Sequence, residues 1–406
     1  MHLKTASSQR KKYATILTFL TVPLSGFMTD IYLPSFPSMS ENLQVSERSI
    51  QLTLTCFFLS YGFVQLFVGG LLDSIGRYRP VLISLVVLMI SSLGIAFTED
   101  VFVICVLRIV QGVGTSFIVV AKRAYFVDMY NDVKRKNFLS YFTIVWSCGP
   151  IIAPFLGGYL ESLFSWEANF YFLAIYAAIL FLGELFIGGE TIRHFKKFNL
   201  KKTIMLYRVM LRNKGFLSGI LILGLAYSVV MVFNIAGPFL VEHHFNFSPV
   251  IIGYCTLILG VSWMLGGIIS KKLVRYSFNP KILYFTAFQL VLITVLIGLS
   301  GIYDNLVLLM SFAFIIHICS GFVFTNYFTN NMLFFPSSAG ISGGLMGGML
   351  YIITSISSYV ISSSGEIAST FDMSLRYIFI AIPLAIVVFI AAEFRSRRLK
   401  KPLMNA

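Results

Sequence analysis

Apolar positions along the chain gather into twelve long runs separated by short polar segments, near residues 14–36, 49–71, 80–98, 101–123, 137–160, 167–189, 215–240, 248–270, 281–301, 305–327, 340–364 and 373–394. Each run approaches or exceeds the roughly 20 mostly apolar residues that an α-helix needs to cross a bilayer core. The pattern predicts an all-α membrane protein with twelve transmembrane helices. Together the runs nearly exhaust the 406 residues. A separate soluble catalytic domain does not fit, so the function must lie within the membrane. Composition agrees: 57% hydrophobic, 12% charged and a mean hydropathy of +0.84 lie well beyond the roughly half-apolar usage of soluble domains. The opening MHLKTASSQRKKY places basic residues before the first run, as a signal peptide does. That run is too long and lacks a small-residue cleavage site, so it is read as a retained first span.

Charge placement orients the spans. With both termini on the cytoplasmic side, all but three of the 31 Lys and Arg residues fall in inner segments; the exceptions are Arg48 and Arg376 outside and Arg108 within a span. This is the positive-inside bias, so the net charge of +14 sets topology and does not indicate nucleic-acid binding. The five cysteines fall inside predicted spans without paired spacing, and neither a disulfide framework nor a metal site is expected. The longest polar interruption, ETIRHFKKFNLKKTIMLYRVMLRNKG, divides six spans from six. It predicts an N-terminal six-helix bundle over 1–189, a basic cytoplasmic linker over 190–214 and a C-terminal six-helix bundle over 215–406. A faint echo between GGLLDSIGRYRP (69–80) and GGIISKKLVRYS (266–277) fits two related halves, a common plan among secondary transporters.

Three stretches carry more specific signals. GGLLDSIGRYRPVL resembles the loop between spans two and three of the major facilitator superfamily (MFS), through Gly69, Leu71, Asp73, Gly76 and Arg77, with Ser74 at a usually basic position. In RIVQGVGTSFIVVAKRAYFVD, Arg108, Gln111 and Thr115 share one helix face. With Gly112, Arg123 and Asp128, Arg108 and Gln111 match the fourth-span pattern of the same superfamily. SCGPIIAPFLGGYL resembles the fifth-span motif of its antiporter branches through Gly149, Ala153, Pro154, Gly157 and Gly158. Ala153 replaces a glycine, and Ser140 stands where another is expected upstream. NIAGPFLVE, PSSAGISGGLMGG and the opening TDIYLPSFPSM are similar to the drug:proton antiporter branch with twelve spans, the last to its Bcr/CflA group of bacterial multidrug efflux proteins.

The resemblance implies two six-helix bundles related by pseudo-two-fold symmetry around a central cavity, working by alternating access in the bacterial inner membrane. Spans 1, 2, 4, 5, 7, 8, 10 and 11 would line the cavity. It implies a monomer without cofactors, whose partners are a small-molecule substrate, protons and the lipid bilayer. Within that frame Asp73, Arg77 and Asp128 form an inner charge cluster, the conformational gate. Gly149, Pro150, Ala153, Pro154, Gly157 and Gly158 form a hinge, because small residues allow close helix approach and proline removes a backbone hydrogen bond. Candidate substrate-binding residues are Tyr61, Gln111, Trp146, Tyr227, Asn234 and Trp263, although Gln111 and Thr115 also suit plain interhelical bonding.

Asp30 is the most informative residue. At 1.5 Å rise per residue it lies about 9 Å below the outer edge of span one, and Arg108 about 10 Å below the same edge on span four. They read as the only clearly interior charged pair. Burial disfavours the Asp30 charge and Arg108 favours it, so the carboxylate is expected to protonate reversibly and carry the coupling proton. The bland alternative is a permanent structural salt bridge. Pro34 and Pro37 should loosen the helix end, and Val22 stands where related exporters often carry a second acid. Glu184 is expected to snorkel to the inner surface, and His317 is the titratable candidate of the second half. The expected function is proton-driven export of small amphipathic organic compounds. A dedicated MFS transporter of a metabolite, nutrient or siderophore is the alternative. A receptor would not need Asp30 and Arg108, and an enzyme would need a catalytic constellation that the spans lack.

Overall fold

The structure, a computed structural model, describes residues 2–192, 195, 197–335 and 338–400. Arg193, His194 and Lys196 of the linker, Pro336 and Ser337 of the span-eleven motif and the Ser140 side chain lie outside the described residues. The helices are α1 (Ser8–Thr21), α2 (Leu24–Asp30), α3 (Phe36–Asn42), α4 (Glu47–Ile75), α5 (Tyr78–Ala96), α6 (Val101–Met129), α7 (Asp132–Leu163), α8 (Glu167–Ile187), α9 (Leu200–Arg212), α10 (Lys214–Phe239), α11 (Pro249–Lys272), α12 (Phe278–Ser300), α13 (Leu306–Met332), α14 (Ala339–Ser362) and α15 (Thr370–Lys400). Among the described residues, eleven helical segments are long and apolar enough to cross a membrane. The 32-residue α7 takes the place of the predicted fifth span. The all-α expectation therefore stands.

Two compact units organise the chain, one of residues 1–200 with 248–254, the other of residues 201–247 with 255–406. In the first, α4 packs along α6, and α5 along both α6 and α8. In the second, α10 packs against α13, α14 and α15, and α12 against α13 and α15. Buried faces are narrow stripes, as expected where lipid covers the rest: Ile83, Ile90, Ile179 and Phe186 are among the many large apolar side chains left uncovered.

Span one departs from a plain helix. It is broken into α1, α2, a 3₁₀ turn over Leu33–Ser35, and α3. Pro23 stands at the N-cap of α2, Pro34 in the 3₁₀ turn and Pro37 in the first turn of α3. Proline lacks the amide donor and clashes with the preceding turn in a helix interior, whereas it is tolerated at a helix start. Each proline therefore begins a new segment. The break near Pro23 goes beyond expectation, since only Pro34 and Pro37 were expected to act. The opposite holds for α7, which stays one helix through Pro150 and Pro154.

The segment before span one is docked. Leu3 N–H donates to the Glu190 carbonyl at 2.9 Å, and Arg10 donates to the carbonyls of Ile187 and Gly188 at 3.1 and 2.9 Å. Leu3 is buried in a cluster with Ala14, Val22, Tyr125, Phe126 and Phe142, and Trp146 packs half-buried against it. Within the basic interruption the hydropathy pattern passed over one element, the 13-residue helix α9.

Candidate functional site

Asp30 is the last residue of α2, so the breaks around it set the site. A helix end leaves its last carbonyls without intrahelical partners, and the Met28 carbonyl is taken by Arg108 Nη1 at 2.8 Å. The same nitrogen donates to Gln111 Oε1 at 2.8 Å, and Gln111 Nε2 donates to Ser92 Oγ at 3.0 Å. The guanidinium lies between two rings, 4.4 Å from the Tyr32 centroid and 4.6 Å from that of Phe57. A desolvated cation over an aromatic face gains about 2 kcal/mol, which helps to offset burying a charge with 0% exposure.

Asp30 is likewise 0% exposed. Its Oδ2 accepts from Thr29 Oγ at 2.8 Å, while Oδ1 has no hydrogen-bond partner. Arg108 Nε and Nη2 are also buried without partners. The two groups share one buried neighbourhood yet form no ion pair, so the permanent salt bridge of the bland reading is not the arrangement seen. Unpaired acceptor and donors are costly to bury.

Other elements pin the broken segment. Tyr32 OH bonds Thr53 Oγ at 3.0 Å, and Asn169 Nδ2 donates to Ser35 Oγ at 2.8 Å. The span-five glycines face it directly. A Cβ on Gly149 would lie 2.8 Å from the Pro23 carbonyl oxygen and one on Gly157 1.7 Å from that of Ile31, while one on Gly26 would lie 2.4 Å from Pro150 Cδ. Ala153 is fully buried; Pro154 lies next to it, and a Cβ on Gly158 would lie 2.5 Å from the Pro249 carbonyl, in the 248–254 stretch of the same unit.

The structure brings Asp73, Arg77 and Asp128 together. Arg77 Nη2 donates to Asp73 Oδ1 at 3.0 Å, and Nη1 to Asp128 Oδ2. Arg123 stands apart and exposed. Gly76, at φ +92°, makes the turn that delivers Arg77, in a backbone region open essentially to glycine alone. Two further residues complete the cluster and were missed. Thr191 Oγ donates to Asp128 Oδ2 at 2.7 Å, and Glu190 accepts from the N–H groups of Arg77 (2.9 Å), Tyr78 (3.2 Å), Thr191 (2.8 Å) and Ile192 (2.9 Å). Burial pushes the Glu190 carboxyl upward, but the four N–H groups outweigh it and hold it below its ordinary value.

A second interior pair corrects two expectations. Glu184 does not snorkel: it is 4% exposed and ion-paired with Lys122, itself 6% exposed. Asp30 and Arg108 are therefore not the only interior charges. The signal was Lys122, one residue before Arg123 in an apolar helix, which positive-inside accounting absorbed as a surface charge.

Tyr61 and Gln111 are fully buried inside the first unit, Tyr61 against Phe57 at 5.7 Å between ring centroids. They support the Arg108 sandwich in this conformation instead of standing open. In the second unit Trp263 contacts Phe324 (5.0 Å) and Tyr227 (6.1 Å), and Tyr227 contacts Tyr351 (6.2 Å). Asn234 lies two turns beyond Tyr227 on the same face of α10. His317 is fully buried with Nε2 3.1 Å from Tyr377 OH and Nδ1 unpartnered. No group of metal-binding side chains occurs among the described residues.

These features describe a polytopic all-α membrane protein with charged groups held inside its spans. A family model described as Major Facilitator Superfamily matches residues 18–358, and the chain belongs to that superfamily. It is similar to the uncharacterized MFS-type transporter YdgK of Bacillus subtilis, 25% identical over 96% of this chain and 94% of that protein. It also resembles the bicyclomycin resistance protein homolog of Haemophilus influenzae, 31% identical over 49% of this chain and 50% of that one. A crystal structure of a D-xylose-proton symporter superposes with a TM-score of 0.71 over 94% of this chain and 97% of that one at 14% identity, which shows the shared fold. The chain is a multi-pass transporter of a small molecule in a lipid bilayer, and not an enzyme.

Proposed function

We propose that this transporter is a proton-coupled exporter of small amphipathic organic compounds, acting as a monomer by alternating access in a bacterial inner membrane with both termini cytoplasmic. Two six-helix bundles, 1–189 and 215–406, joined by the linker 190–214, make up its working parts. Asp30 carries the proton. The observation that supports this reading is its fully buried carboxyl with an unpartnered oxygen at the break of span one, near an arginine whose own free donors do not reach it. A small rearrangement of α2 changes how well Arg108 compensates the charge, and so changes proton affinity. Gly149, Pro150 and Gly157 form the sliding surface for that movement, with Ala153, Pro154 and Gly158 continuing the hinge. Asp73, Arg77 and Asp128 gate the inner side. In the second unit Tyr227, Asn234 and Trp263 contribute aromatic and amide contacts to the substrate. Similarity to a protein named for bicyclomycin resistance supports a drug-like substrate.

The test uses inside-out vesicles with an imposed pH gradient and ethidium or bicyclomycin as the probe. Asp30→Asn preserves shape and removes ionisation, so gradient-driven accumulation is expected to fall to background while binding persists. If Asp30→Asn still concentrates the probe, Asp30 is not the carrier and His317 becomes the next residue to test.

A further inference from the structure

Two of the five cysteines meet. Cys56 on α4 and Cys105 on α6 hydrogen-bond to each other through their side chains, and neither has a part in the proton or substrate sites above. The seam between the two helices explains the contact. Cys105, Arg108 and Gly112 recur at i, i+3 and i+7 on one face of α6, and Cys56 and Ser60 at i and i+4 on one face of α4. Gly112 lets the helices close, because a Cβ there would collide with Ser60 Oγ and lie 2.6 Å from the Phe57 carbonyl oxygen. One turn further along, Ser116 Oγ donates to the Tyr61 carbonyl at 2.7 Å. In the other direction the same seam brings the two sulfurs together.

Their surroundings differ from those of the other cysteines. Cys56 and Cys105 are half-buried, whereas Cys255 and Cys319 are buried and Cys148 is exposed. The charge of Arg108 acts on both sulfurs, and Phe57, next to Cys56, holds that guanidinium over its ring at 4.6 Å. Reactive thiols occupy partly exposed, electropositive surroundings of this kind, while thiols sealed among apolar groups stay inert. Two thiols in contact need only a small side-chain rotation to reach the roughly 2.05 Å separation of a disulfide. Position within apolar spans selects the oxidant, since a protein disulfide donor cannot enter the bilayer and a small neutral molecule can.

We propose that Cys56 and Cys105 form an oxidisable dithiol, a modification site at which a hypohalous acid closes a disulfide between α4 and α6. One sulfur takes chlorine from hypochlorous acid to give a sulfenyl chloride, and the hydroxide released takes the thiol proton as water. The second sulfur then attacks the first: the S–S bond forms as the S–Cl bond breaks, and chloride and a proton leave. The two sulfurs together lose two electrons, and chlorine gains them. The bond staples the seam one turn from Arg108 and so restrains the Phe57 side of the guanidinium sandwich. No step involves Asp30, so the outcome is independent of the proton reading.

The test uses the full chain with Cys148→Ser, Cys255→Ser and Cys319→Ser in proteoliposomes, treated with increasing doses of hypochlorous acid, then denatured and alkylated with N-ethylmaleimide. Both thiols are expected to disappear together, a peptide joining Cys56 to Cys105 to appear on digestion, and dithiothreitol to restore both. With Cys56→Ser or Cys105→Ser added, the remaining thiol lacks a resolving partner and should pass on to sulfinic acid, which dithiothreitol does not restore. The wild-type chain, oxidised in the same way, should yield the same joined peptide without depending on the folding of any variant. Full alkylation of Cys56 and Cys105 at a dose that consumes Cys148 in the wild type overturns the proposal. Separate oxidation of the two sulfurs to acids overturns it too, as does a joined peptide that, in a mixture of isotope-labelled and unlabelled chains, forms only between different copies.

Discussion

Gly157→Ala adds one methyl group where the chain has no room for it. An ideal Cβ there would lie 1.7 Å from the Ile31 carbonyl oxygen, 2.8 Å from its carbon and 3.1 Å from Asn169 Oδ1, whereas ordinary contact begins at 3.4 Å. The nearest atom is backbone, so no side-chain rotation relieves the clash; α7 and the broken span must separate locally by about 1.5–2 Å in a close-packed interior. Overpacking of this kind costs typically about 1–3 kcal/mol. At about 3 °C per kcal/mol for a unit of this size, the melting temperature should fall by about 3–9 °C in detergent. Ile31 follows Asp30, so transport should fall more than stability explains. The matched control is Gly298→Ala on α12, which meets nothing within 4 Å and should leave melting unchanged or slightly raised. Thermal unfolding and vesicle transport read both variants. Equal melting for Gly157→Ala and wild type, with full transport, would refute direct packing of α7 on the Asp30 segment.

Glu184→Gln leaves Lys122 charged and buried without its partner and should cost about 3–5 kcal/mol; Lys122→Met with Glu184→Gln should recover most of it, and equal melting of single and double variants would show that the pair does not interact. Glu190 has a lowered folded-state value, so its contribution to stability is present above the ordinary value of 4.5 and is lost as pH falls through the lower folded value. Melting curves of wild type and Glu190→Gln should therefore differ near neutrality and converge in acid, and a constant gap would contradict the assigned contacts. Arg77→Gln removes the bonds to Asp73 and Asp128; the cluster is partly exposed, so an inward population shift of about fivefold at most is expected. Cysteine labelling from the cytoplasmic side checks it, and labelling at the wild-type rate would argue against a gate.

How much was legible depended on the range of the interaction. Span number and the all-α class follow from chain-local quantities, since each run must be apolar over a bilayer thickness and close its own backbone hydrogen bonds. Asp30 and Arg108 stood out by the same logic, because a charge in an apolar run is costly wherever the fold puts it. What such reasoning could not reach was pairing. Lys122 and Glu184 are 62 residues apart, and each alone looks like a side chain that can reach the surface; only the packing of α6 and α8 on the same helix, α5, decides that they meet. The Arg108 sandwich needs Tyr32 from a broken span and Phe57 from α4, and the break turns on Pro23, whose effect depends on whether neighbours reward it. In α7 two prolines leave the helix whole, while in span one three prolines divide it. Sequence sets where a backbone bond is missing, and tertiary contacts such as Arg108 on the Met28 carbonyl decide whether the chain bends there, because a freed carbonyl inside a bilayer persists only where a donor is already waiting.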